Sequence, residues 1–128
     1  MHVATGAAGG ALMRSRAGAI GLGLVLHALG DRIPHQDIRS RRFEIRSGVA
    51  CGLALAARYG VLSPVTLGAL AASAPDLEHV VRLPRPGGRK LFPSHRVRGW
   101  HREGGLPAWV QLAAAGTILA VLLGSRRG

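Results

Sequence analysis

Residues 26–38, LHALGDRIPHQDI, bring His27, Asp31, His35 and Asp37 together in a chain otherwise rich in alanine, glycine, leucine and arginine. Positions four apart share a helix face, so His27 and Asp31 project side by side, and His35 follows the break that Pro34 imposes. Imidazole and carboxylate together suit zinc, manganese or iron, and a bound ion would account for a carboxylate near an apolar interior. The competing account is a His–Asp pair that satisfies itself inside a helix bundle, with Asp37 capping the next helix.

Apart from His2, the histidines fall in three clusters: His27 with His35, His79 in SAPDLEHVV, and His95 with His101 in SHRVRGWHRE. The acids Asp31, Asp37, Asp76, Glu78 and Glu103 lie in or beside the same clusters, which leaves only Glu44 outside them. Asp76 and His79, spaced i and i+3, again share a face. Capping and the helix dipole would explain Asp76 but not His79. Glu78 points to another side, as a candidate general base, a partner behind a ligand or a solvated residue, and Glu103 is a second candidate base. Arg96, Arg98 and Arg102 interleave with His95 and His101, as expected where guanidiniums hold phosphate oxygens beside a metal, although a basic surface loop would look similar. The candidate ligands are therefore His27, Asp31, His35, Asp76, His79, His95 and His101. That set exceeds the three or four protein ligands of a single zinc site, so a two-metal centre is open.

These residues need helices to position them. Hydrophobic residues make up 48% of the chain and aromatics only 4%, with 19 Gly, the composition of closely packed helices. No stretch alternates as a strand would, so the fold class expected over the 128 residues is all-α, a compact bundle of about four to six helices in one domain. An apolar helix is expected over 17–30, a second from about Asp37, a third opening at Ser63 and Pro64, and a fourth near Ser73 and Pro75. Residues 84–100 read as a basic loop rich in Pro and Gly. Residues 106–124 carry no charge and would extend about 28 Å as a helix, a candidate transmembrane segment whose alternative is a buried core helix.

The formal net charge is +11, which favours phosphate groups on lipid or nucleic acid, although an arginine excess can also reflect base composition. Nucleic acid is the weaker partner, because the arginines follow no recognised motif and few aromatics are present for stacking. The single Cys51 excludes an intrachain disulfide and a four-thiolate zinc site. The first residues lack the order of charge and apolar run expected of a secretory leader.

HALGDRIPH, APDLEH and HRVRGWH resemble the motifs of a family of small membrane-associated metal-dependent hydrolases, and HVATGAAGGAL is similar to that family's start. More distantly, the first motif is similar to part of the all-α zinc-dependent phospholipase C fold. The resemblance implies metal ligation by His27, Asp31, Asp76, His79, His95 and His101, with His2 as a further ligand. It also implies residence at a membrane, the bacterial inner membrane, and contact with membrane lipid. The spacing of HRVRGWH is longer than the family's compact form, and no serine follows His101. The function expected is hydrolysis of a phosphoester or related bond with a His/Asp-bound divalent metal, zinc foremost. The alternative is a non-catalytic small membrane protein with a stabilising metal site.

Overall fold

The structure is a computed structural model in which residues 1–100, 102 and 104–125 are described, so His101 and Glu103 lie outside the described residues. The chain folds into helices α1 (His2–Ala11), α2 (Arg16–Arg32), α3 (Arg41–Tyr59), α4 (Pro64–Ser73), α5 (Leu77–Val80), α6 (Pro93–Arg96) and α7 (Ala108–Gly124), with a 3-10 turn at Pro86–Gly88. No strand occurs among the described residues, only an isolated bridge between His35 and Leu106. The all-α expectation holds; the helix expected to open near Ser73 and Pro75 starts instead at Leu77, and the number exceeds six with α6, a turn of 4 residues inside the 84–100 segment expected as a loop and too short for a periodic signal.

Serines start three of the long helices. The hydroxyl of Ser15 accepts from the Gly18 amide, that of Ser40 from Phe43, and that of Ser63 from Thr66, each satisfying a first-turn donor that the helix cannot. Ser40, not Asp37, therefore caps α3, the helix expected from about Asp37, and Asp37 lies in the extended segment before it. Pro34 ends α2 as its fixed φ demands, with Ile33 already extended at φ −77 and ψ 122. Asp76 stands before α5 but makes no capping hydrogen bond, so its side chain is left for another role.

The helix α4 packs between α1 and α2 at backbone distance. A Cβ on Gly68 would lie 2.4 Å from the Gly6 carbonyl oxygen and 3.0 Å from the Gly10 Cα, and one on Gly23 would lie 2.5 Å from the Gly68 oxygen. Ala4, Ala7, Ala19, Ala69 and Ala72 fill the rest of this seam. Small residues allow helices to meet without side-chain spacers, and dispersion between backbones then replaces a thick apolar core. Leu55, Val65 and Tyr59 extend the core toward α7, and the Tyr59 hydroxyl donates to the Leu122 carbonyl.

The last helix differs from expectation. Pro107 stands at its N-cap and Leu106 is engaged by His35, so α7 covers 17 residues, about 25 Å, and buries none of them fully. No helix among the described residues is long and apolar enough to cross a membrane, which corrects the transmembrane expectation for 106–124. The accessible surface is 8363 Å², against about 6,500 Å² for a typical folded monomer of 13.3 kDa, and large apolar side chains such as Leu12, Leu53, Trp109 and Val121 are exposed on it.

The seam predicts opposite outcomes for one substitution at two glycines. Gly68→Ala forces α1 from α4 and is expected to destabilise by about 1–3 kcal/mol. Gly52→Ala on α3, where an added Cβ meets nothing within 4 Å, is expected to stabilise by about 0.5–1 kcal/mol. Denaturation followed by circular dichroism measures both.

Candidate metal centre

The last turns of α2 present His27 and Asp31 toward the seam, where both are buried at 1% and 3% exposure. Their Nε2 and Oδ2 atoms are 3.1 Å apart. The turn of α6 brings in His95, whose Nε2 lies 3.3 Å from His27 Nε2 and 3.5 Å from Asp31 Oδ2. Three ligand atoms on a tetrahedral ion at about 2.0–2.1 Å would be about 3.3–3.4 Å apart, so this triangle has the dimensions of a metal site. Asp31 Oδ2 is buried and makes no hydrogen bond, although two ring nitrogens lie close to it. An orphaned buried carboxylate oxygen is costly unless a cation meets it, and these residues fit one.

Each histidine of the triangle is held by its other nitrogen. His27 Nδ1 donates to the Ala72 carbonyl at 2.9 Å, which leaves Nε2 as the lone-pair face. His95 Nδ1 donates to Glu78 Oε1 at 2.5 Å, the arrangement in which a carboxylate orients a ligating imidazole. Glu78 is only 2% exposed, and its Oε2 accepts the Leu91 amide at 2.7 Å. Its two oxygens are thus both engaged.

Three further groups surround the triangle. His2, on the first residue of α1, lies 3.4 Å from Asp31 Oδ1 through Nε2. His79 Nε2 lies 3.2 Å from His95 Nδ1. Asp76 Oδ2 stands 4.0 Å from His27 Nδ1, with its side chain half exposed. Groups of ligand atoms that could hold an ion are accordingly His27, Asp31 and His95; His2, His27 and Asp76; and Glu78, His79 and His95. The first keeps both Nδ1 donors in place and is the best formed.

The electrostatics follow from burial and from the facing rings. Burial pushes the Asp31 carboxyl up, but the imidazoles of His2 and His27 outweigh it and hold the group far below the usual carboxylate range. Burial lowers His27, and Asp31 with Asp76 more than offsets this, so His27 is raised. Glu78 is raised by burial and lowered further by the Leu91 amide and His95, with a net fall. His79 is lowered by burial and by its neighbours His95 and Lys90.

The other expected residues have different places. His35 donates from Nδ1 to the Ile33 carbonyl at 2.7 Å and faces Asp37 Oδ1 at 3.6 Å, and no converging group of ligand atoms among the described residues includes it. Arg96 lines a cavity of about 350 Å³ together with Arg89, Lys90 and His95. Arg98 and Arg102 do not line it, and the Arg102 backbone instead ties down the end of α2, its amide donating to the Asp31 carbonyl at 3.3 Å. His101 and Glu103, a candidate ligand and a candidate base, fall outside the described residues. Trp100 has a role its sequence position did not signal: its indole N–H donates to the Ala28 carbonyl at 2.8 Å and Arg32 stacks on its ring at 5.3 Å.

Comparison with protein-family models, with curated proteins and with solved structures finds no match to the chain.

The pair of shifts has opposite signs on the pH axis. With His27 raised in the fold, its stabilisation is complete below about 6.5 and is lost as pH rises through the folded value. With Asp31 lowered, its stabilisation is complete above about 3.9 and is lost as pH falls. Chelator-treated protein is therefore expected to show a Tm that declines on both sides of about pH 4–6.5, and Asp31→Asn is expected to flatten both limbs in a series of thermal melts.

Proposed function

We propose that the protein is a metal-dependent hydrolase acting on a phosphoester or related bond at a lipid surface. The observation that carries this reading is the buried triangle of His27 Nε2, Asp31 Oδ2 and His95 Nε2, with an oxygen that no hydrogen bond satisfies. Two nitrogens and one carboxylate oxygen suit zinc first and manganese or iron next. When bound, such an ion would lower the pKa of a water toward about 7 and polarise a phosphoryl oxygen.

The chain's own groups divide the remaining work. Asp31 supplies the negative charge that anchors the cation, and His2 backs its second oxygen. Glu78 acts as a positioning residue: fully engaged by His95 and the Leu91 amide, it fixes the ring whose Nε2 faces the triangle, and it has no free oxygen for a proton in flight. His79 is the better base. Its imidazole is pushed down by burial and by its neighbours His95 and Lys90, and in its neutral form it can accept a proton from an attacking water. Arg89, Lys90 and Arg96 line the cavity that His95 enters and would hold phosphate oxygens there.

The lipid surface is supported by the outer face of the bundle. On α2, Ile20, Leu24, Val25 and Leu29 are exposed between Arg16 and Arg32, and Trp109, Leu112 and Val121 are exposed on α7. Apolar faces ended by arginine suit an interface where hydrocarbon gives way to anionic headgroups.

Elemental analysis of purified protein, thermal melts with added zinc or manganese and phosphodiester hydrolysis assays test the reading together. Near-stoichiometric metal is expected, lost in Asp31→Ala and His95→Ala, and Glu78→Gln is expected to weaken metal affinity about 10–100-fold. Protein that holds no metal and gains no stability from it would overturn the proposal. Metal that stabilises without any hydrolytic activity would favour the non-catalytic alternative.

A further inference from the structure

A second cavity, of about 580 Å³, opens beside the metal centre and takes none of the residues assigned above to phosphate. Arg41 from the start of α3 and Arg82 and Arg85 from the segment after α5 line it, with His79 and Glu78 in its wall. Two of these guanidiniums are held by the backbone of α5: Arg41 donates to the His79 carbonyl and Arg85 to the Glu78 carbonyl at 3.4 Å. A tethered guanidinium loses less freedom when it binds a ligand, and its remaining N–H groups keep their fork. No ion pair among the described residues joins Arg41, Arg82 or Arg85 to a carboxylate. Glu78, the one acid in the wall, turns its oxygens to His95 and the Leu91 amide. Three guanidiniums thus face a cavity that holds no free negative charge of its own.

We propose that this cavity binds a phosphate group of the substrate other than the one at the scissile bond. The chemistry is that of a phosphate dianion, whose oxygens match the planar fork of arginine. Val80, Val81 and Leu83 form the remaining wall, so the phosphate is carried on an organic residue that packs against them. His79 links the two places, lining the cavity while its Nε2 stands 3.2 Å from the His95 ring. A substrate anchored here reaches across His79 to the triangle, which selects molecules with a second phosphate a short distance from the bond that is cut. That the anchored molecule is a substrate rests on the hydrolase reading, whereas anion binding by the three arginines does not.

The test is titration of the full-length protein, as purified and after chelator treatment, with inorganic phosphate at low ionic strength. A parallel arm measures binding to phosphatidylcholine vesicles with and without phosphatidic acid, which separates a free phosphate from a lipid headgroup. Saturable binding is expected in one arm or both, weakened about tenfold or more in R82Q/R85Q and about twofold or less in R14Q/R46Q, which removes equal charge from exposed positions that line neither cavity. R82Q alone, which keeps the contact of Arg85 with the Glu78 carbonyl, gives the same direction if the double variant folds poorly. Zinc content is expected to be unchanged in these variants, so loss of metal and loss of the anion site are read separately. Equal weakening in R82Q/R85Q and R14Q/R46Q, or no phosphate-dependent binding in either arm, would overturn the proposal.

Discussion

A carboxylate removed from water must be met by positive charge, and the buried Asp31 side chain imposes that condition on much of the molecule. His27 approaches its oxygens from the same helix, His2 from α1 and His95 from α6, so segments distant in the chain converge on one group. The second row of contacts, Ala72 carbonyl to His27 and Glu78 to His95, then decides which nitrogen of each ring faces inward. A proton on His27 or a divalent cation can balance Asp31, and the three ligand atoms have the spacing that such a cation requires.

The convergence depends on how closely the helices approach. Because Gly6, Gly23 and Gly68 let α1, α2 and α4 meet at backbone distance, the start of α1 and the ends of α2 and α4 lie together, and the polar groups at those ends share one place. Bulkier residues in the seam would separate the ends and enlarge the triangle beyond the span of a single ion. The same economy of side chains leaves large apolar residues outside, such as Leu24 and Val121, which a lipid surface can cover.

Several elements were legible from local pattern alone. Ser63 followed by Pro64, and the break at Pro34, act on the backbone within a turn, and the structure has the helix boundaries they imply. His27 and Asp31 were legible as a pair because helical periodicity by itself puts i and i+4 side by side. Asp37 was misread, since Ser40 is an equally good cap and only the path of the chain chooses between them. The 106–124 segment was read too long, since composition is apolar throughout and the turn at Pro107 depends on the pairing of Leu106 with residues near His35.

The helical fold class, the concentration of imidazoles and carboxylates in three clusters and the His27–Asp31 face are all written in the chain, because each follows from composition or from contacts within one turn. Long-range packing, by contrast, brings His95 to that face and leaves His35 outside it, sets Glu78 behind His95 with both oxygens engaged, and puts Arg41 on the wall of one cavity with Arg82 and Arg85. Those contacts join residues as far as 68 positions apart, and their formation depends on the approach of α1, α2 and α4 rather than on any local preference of the chain.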